Sequence, residues 1–322
     1  MNLEILLFIL GIIGLWWGAG LTIEGARKIA RHYKISQLFI GLTVLSIGTS
    51  LPEIFTHVAS SLKILQGIEA SGVAIGTNIG SDIIQITLIV GIIAMFTTIK
   101  STKDMLKRDG LVMIGAIVLL WIFSFNRFVS QLEGMILVIL YIIYLIFLTR
   151  KEKNIRELIS PYHKPFEKRK KNHVLKHLTL ILIGVLVLSF ASYWVVENTL
   201  FFARTFGIEQ TFLGLIVIGL STALPELTTA IRGVLRGVKT MSLGVLIGSN
   251  ITNPMLALGM GAAISGYTIS ESILWFDIPF KFLMSVMVIL FFWHKQKLSK
   301  WQAGLLIAAY LAYVTYKIYG VL

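Results

Sequence analysis

No cysteine occurs among the 322 residues, which excludes disulfides, thiolate metal sites, cysteine nucleophiles and soft-metal transport through thiolates. Charge is scarce, at 14% of residues, where a soluble domain carries about a quarter. Acids are the scarcer sign, 16 against 29 Lys and Arg, and proline is limited to six positions. The sequence holds no nucleophile–base pair and no phosphate-binding motif, so neither an enzyme nor a bound cofactor is expected. Met1-Asn2-Leu3-Glu4 lacks the basic start of a secretory signal, and no small-residue cleavage site follows. The first apolar run is therefore expected to remain as helix 1.

What fills the chain is apolar surface, 56% of residues with a mean hydropathy of +0.82. Apolar runs of roughly 18 residues or more, each long enough to cross a bilayer as a helix, recur throughout. Ten spans are expected, near 3–22, 36–65, 71–96, 109–126, 131–149, 177–198, 211–236, 241–265, 274–293 and 301–319. The second, third, seventh and eighth are rich in Gly, Ser, Thr and Asn and read as interrupted mid-way; the others are mostly Leu, Ile, Val and Phe.

Sorting the basic residues by side tests that map. Residues 150–176 carry ten Lys and Arg against three acids. Loops expected on the same side hold Arg27, Lys28, Arg31 and Lys34; Lys100, Lys103, Lys107 and Arg108; Arg232, Arg236 and Lys239; and Lys295, Lys297 and Lys300. Only Lys63, Arg127, Arg204, Lys281 and Lys317 fall on the other. This positive-inside bias explains the basic pI better than nucleic-acid binding does, and it predicts a multi-pass cell-membrane protein with both termini extracellular. The domains are then a five-helix repeat over 1–149, a basic cytoplasmic linker over 150–176 and a second five-helix repeat over 177–322. An odd number of spans per repeat inverts the second copy, an architecture frequent in secondary transporters. The linker reads as a solvated topogenic loop, with anionic lipid headgroups as the alternative partner. No linker is long enough for a soluble regulatory domain.

The duplication is visible in the residues. GTSLPE, Gly48 to Glu53, returns as STALPE, Ser221 to Glu226, and Phe39 to Glu53 runs parallel to Phe212 to Glu226. A carboxylate in lipid costs on the order of 3 kcal/mol, so two in equivalent positions point to a bound cation. Pro52 and Pro225 lack an N–H, which removes the helical partner of the Gly48 and Ser221 carbonyls. With Thr49, Ser50, Thr222, Glu53 and Glu226 they form an all-oxygen donor set suited to hard cations such as Na⁺ and Ca²⁺. A second motif is also duplicated, GTNIGS at Gly76 to Ser81 and GSN at Gly248 to Asn250. Ser81 and Gln85, and likewise Ser249 and Asn253, share a helix face and offer further oxygens.

GTSLPE with GTNIGSD, repeated as STALPE with GSNITNP, resembles the paired alpha-repeats of the cation/calcium exchanger superfamily, closest to prokaryotic sodium/calcium exchangers. The resemblance spans the whole chain. It implies an all-α membrane protein of ten transmembrane helices in two inverted repeats, exchanging Ca²⁺ for Na⁺ by alternating access. It also implies Glu53 and Glu226 as shared ligands and Thr49 and Thr222 as ligating oxygens. Ser50, Ser81 and Ser249 would line flanking Na⁺ sites, with backbone carbonyls at Ser46 and Gly219. A functional monomer is expected. The departures are Ala223 for a usual Ser, Gln85 for a usual Asn, Asp82 for a usual Asn, and Asn253 where potassium-dependent relatives carry Asp.

Some residues carry two readings. Asp82 ligates the ion or hydrogen-bonds beside it. His57 couples a proton or is simply hydrogen-bonded. Arg232 and Arg236 gate the inner vestibule or anchor the helix. The Tyr141/Tyr144 and Tyr310/Tyr313 pairs, with Trp16 and Trp17, fit packing or an interfacial belt. His57, Asp82 and Ala223 together motivate H⁺ as an alternative coupling ion, and a passive cation channel is the remaining transport class.

Overall fold

The computed structural model describes residues 2–33, 35–98, 101, 103–159, 172–205 and 219–319. The middle of the linker and residues 211–218 of the seventh expected span lie outside them. The helices are α1 (Asn2–Tyr33), α2 (Gln37–Thr49), α3 (Leu51–Leu65), α4 (Ser71–Phe96), α5 (103–123), α6 (Gln131–Ile159), α7 (Asn172–Thr205), α8 (Gly219–Leu235), α9 (Lys239–Ser265), α10 (Ile273–Trp293) and α11 (Lys300–Tyr319). Among the described residues six helices are long and apolar enough to cross a membrane, or seven if the bent pair α2–α3 is one span. This is an all-α membrane protein, with one two-residue strand pairing, Phe128 with Thr268 and Val129 with Tyr267.

Burial separates core from periphery. The most apolar windows of α9 and α4 are 89% and 72% buried, against 33% for α1 and 28% for α6 and α7. The central helices are those with Gly, Ser, Thr and Asn, because lipid offers no hydrophobic drive between helices and small residues let backbones close up. At Gly248 a Cβ would stand 2.7 Å from the Ser46 Cβ and 2.9 Å from the Leu42 Cα, so α2 and α9 touch backbone to backbone. The outer helices are apolar on all sides, as lipid contact requires. Several hydroxyls within the core return to carbonyls four residues back, as Thr43 does to Phe39 and Thr87 to Ile83, and so are paired within their own helix, whereas those of Thr229, Ser242 and Ser285 have no protein partner.

The expected interruptions take different forms. At Ser50, φ −82° and ψ 7°, the chain leaves helical geometry and bends by 43° between α2 and α3. Pro52 then falls in the first turn of α3, where its missing N–H is harmless. In the duplicate, Pro225 sits inside a continuous α8. The third and eighth spans are not broken. Each carries one wide π-helical turn, Gln85–Ile89 and Asn253–Ala257, fourteen residues after its helix begins, and four residues apart in the register of the duplicated motif. A second matching pair lies at Leu106–Gly110 and Ile273–Asp277. The acid of each takes a tyrosine hydroxyl and a cation: Tyr144 and Arg108 on Asp109, Tyr313 and Lys317 on Asp277. These tyrosines are therefore buried structural donors rather than an interfacial belt, and Tyr141 likewise bonds Thr252 at 2.9 Å. Of the tryptophans, Trp17 faces outward, whereas Trp16 lies under the Arg232 guanidinium at 4.3 Å.

Contacts between helix ends sort the turns into the two groups that the basic residues suggested. Ser36 bonds Glu152, Ser101 bonds Gln296, and Arg236 bonds Glu24 at one end. Arg127 meets Glu271, Ser71 meets Thr268, and Lys317 meets Ser272 at the other. One residue departs from that sorting. Lys281 is at neither end: it is buried within α10, 1% exposed.

Candidate functional site

Where α2, α3, α4, α8 and α9 meet, the core is lined with oxygen. Glu53 and Glu226 are both fully buried. Glu53 stands in the first turn of α3, so the bend at Ser50 gives it the positive end of a helix inside the membrane. Its Oε1 accepts the Ser81 hydroxyl at 3.1 Å. Oε1 of Glu226 accepts Ser249 at 3.3 Å and Ser50 at 3.4 Å. The Thr49 hydroxyl, which donates to the Leu45 carbonyl at 3.0 Å, faces Glu226 too. Hydroxyls are thus shared unequally. Ala223, the counterpart of Ser50, is packed in the core with no hydroxyl to give Glu53.

Five buried acceptor oxygens here have no protein partner: Oε2 of Glu53, Oε2 of Glu226, and the Oδ1 atoms of Asn78, Asn250 and Asn253. Buried acceptors are rarely left unpaired. Two of these are carboxylate oxygens, the group for which desolvation without a counter-charge is most costly. Among the described residues no three His, Cys, Asp or Glu side chains converge on a point, so the donor set is two carboxylates with hydroxyls and amides.

The other residues expected at the site divide by what they touch. Gln85 donates to the Ser81 hydroxyl at 3.1 Å and accepts from Asn250 at 3.0 Å, so it ties α4 to α9 and aims Ser81 at Glu53. Its two amide ends are engaged, and its position is that of an orienting group. The Ser46 carbonyl accepts the Ser50 N–H at 3.0 Å, and its hydroxyl returns to Leu42. Thr222 lies half-buried one turn before Glu226 on α8, and Gly219 begins that helix. Asn253 gives its Nδ2 to Asp82 at 2.7 Å and keeps Oδ1 free of protein partners. Asp82 is doubly engaged, because its second oxygen takes the Lys281 ammonium at 2.5 Å. Of its two readings, the geometry favours hydrogen bonding beside the site, with a lysine partner that the sequence map had put elsewhere.

His57 is held at both ring nitrogens, by Asn78 at 3.2 Å and Tyr267 at 3.1 Å. Tyr267 passes its own proton to the His57 carbonyl at 2.9 Å and lies 2.8 Å from the Ser61 hydroxyl. A neutral ring with one donor and one acceptor satisfies this network. Asn78 and Asn250 are the residues that sequence reasoning passed over as donors. Their signal was present, since both sit at the same place in the duplicated GTN and GSN.

Comparison with known proteins identifies the family of the chain. The family described as sodium/calcium exchanger protein matches residues 3–150 and 176–319. The sodium/calcium exchanger MaX1 of Methanosarcina acetivorans is 29% identical, with 99% of each chain aligned. The inner membrane protein YrbG of Escherichia coli is 30% identical over 92% of this chain and 90% of its own. Among solved structures, the sodium-calcium exchanger NCX_Mj soaked with 10 mM Na⁺ and zero Ca²⁺ superimposes with a TM-score of 0.82, at 29% identity over 98% of both chains. The same protein soaked with 10 mM Na⁺ and 10 mM Sr²⁺ gives the same TM-score. With most of its length matched on both sides of the linker, the chain belongs to the sodium/calcium exchanger protein family.

Proposed function

We propose that this protein is a secondary antiporter exchanging Ca²⁺ for Na⁺ across the cell membrane, with Glu53 and Glu226 as ligands shared by both ions. One observation carries the reading: two fully buried carboxylates, each with one oxygen lacking a protein partner, beside three unpaired amide oxygens. The spacing of the paired oxygens supports it. Ligands about 2.4 Å from a Ca²⁺ and at right angles to one another lie about 3.4 Å apart. The hydroxyl–carboxylate distances here, 3.1 to 3.4 Å, are long for hydrogen bonds and suited to oxygens gathered around such an ion.

Two carboxylates neutralise one Ca²⁺ or two Na⁺, so competition at shared ligands couples the fluxes. Thr49, Thr222, Ser50, Ser81 and Ser249 supply neutral oxygens, and Asn78, Asn250 and Asn253 add amide oxygens. The matching π-helical turns and the matching Tyr–Asp pairs support two five-helix repeats, and the alternation of helix ends supports their inversion. Alternating access then has α1 and α7 moving across the core, each ion shifting the balance only by its differential binding to the two states. The bias of basic residues supports both termini outside; a working monomer is part of the same reading.

The deciding measurement is Ca²⁺ uptake into proteoliposomes under an imposed Na⁺ gradient, then under an imposed pH gradient. An outward Na⁺ gradient is expected to drive Ca²⁺ accumulation, and a pH gradient alone to drive none. Accumulation driven by pH and not by Na⁺ would overturn the assignment of Na⁺, and flux without accumulation would mark a channel.

A further inference from the structure

Three carboxylates are buried at the centre of this protein, yet one Ca²⁺ or two Na⁺ balance only two. The third, Asp82, is fully buried on α4, next in sequence to Ser81, whose hydroxyl is bonded to Glu53. From α10 the Lys281 ammonium reaches Asp82 Oδ2 at 2.5 Å, with 1% and 0% of the two side chains exposed. The other oxygen of Asp82 takes the Nδ2 of Asn253, and that amide's Oδ1 is one of the unpartnered acceptors. The Asn253 carbonyl in turn holds Asn78 at 2.8 Å, whose Oδ1 is another. Lys281 is thus one hydrogen-bonded residue removed from the candidate ion oxygens.

We propose that Lys281 is a tethered cation of the translocation site. Its ammonium permanently holds the third carboxylate, so the site presents two net negative charges and takes one monovalent ion fewer than its acids alone would bind. A lysine fits this role: it is a compact point charge on a flexible stem, similar to a bound monovalent ion in charge. Buried in place, it cannot be transported, so it fixes the charge carried per cycle. The proposal rests on Glu53 and Glu226 being the ion ligands.

The test uses the purified full-length chain with Lys281→Met, Asp82→Asn and the double variant. It reads Na⁺-dependent Ca²⁺ uptake and the stabilisation of melting temperature by Na⁺ and by Ca²⁺. Lys281→Met leaves a bare buried carboxylate, and the Na⁺ dependence is expected to steepen by about one ion as that charge recruits a partner. Asp82→Asn leaves a bare ammonium, and the apparent affinity for both ions is expected to fall at least about tenfold. The double variant is expected to return to wild-type ion dependence. A pair that only braces α4 against α10 would instead lower the melting temperature in both single variants with steepness and half-saturation unchanged, and that result overturns the proposal. Should Lys281→Met not fold, Asp82→Asn against the double variant still decides: equal ion affinities in these two sink it. Glu53→Gln and Glu226→Gln separate the underlying reading, which fails if both keep Ca²⁺-dependent stabilisation, whatever the lysine does.

Discussion

At the residue scale the two glutamates are chemically alike and environmentally unequal. Glu226 faces Thr49, Ser50 and Ser249, whereas Glu53 takes one hydroxyl, from Ser81, and has the Asp82 charge nearby. With both as ligands, as proposed, removing either charge strips the desolvated cation of half its counter-charge. Glu53→Gln and Glu226→Gln are each expected to reduce Ca²⁺ uptake by at least about a hundredfold, in line with losing one partner of a buried charge pair. Uptake within a few-fold of wild type in both would remove them from the site. These acids were legible in the sequence because a carboxylate in a long apolar run has few roles open to it. Lys281 was not, although the same logic applies to it. A lysine in the first half of an apolar helix reads as one that snorkels to the interface. Its partner is 199 positions away, and no local pattern connects them.

At the scale of elements, what the sequence made visible was where helices yield, and what it hid was how. Pro52 ends one helix and starts another because Ser50 leaves helical geometry just before it, while Pro225 is absorbed within α8. The widened turns beginning at Gln85 and Asn253 have no residue signature, since a π-helical turn is selected by what the next helix needs to reach. Small residues, by contrast, announce close packing. Gly248 brings α9 onto Ser46 of α2, four residues before the bend at Ser50. Gly248→Ala puts a methyl into that contact and is expected to cost about 1–3 kcal/mol. A lowered melting temperature in detergent checks it. Ion affinity should fall with it, because α2 carries Thr49 and Ser50 to Glu226; an alanine variant as stable and as tight as wild type would show that α2 and α9 have room to part.

For the whole molecule the question is what holds the peripheral pair α1 and α7 against the core. α1 and α7 pack along their lengths, with Gly18 of α1 against the Gly184 and Leu188 backbones of α7. At the basic end α1 is fastened to α8. Arg236 bonds Glu24 at 2.7 Å and the Gly20 carbonyl at 3.1 Å, and Arg232 lies over Trp16. α8 carries Glu226, so this fastening joins the helix proposed to move to a helix that bears the ion ligand. On the proposed mechanism it belongs to one access state and parts in the other. The pair is partly exposed, with 30% and 27% of the two side chains accessible, and such bridges are worth about 0.2–1 kcal/mol. Glu24→Gln is accordingly expected to shift the balance of access states by no more than about fivefold, with the fold intact. Half-saturation for Ca²⁺ should move in opposite directions at the two membrane faces, measured in vesicles of sorted orientation. A change of the same sign at both faces would mean that Glu24 acts on the site itself, and no change at either would mean that α1 and α8 travel together.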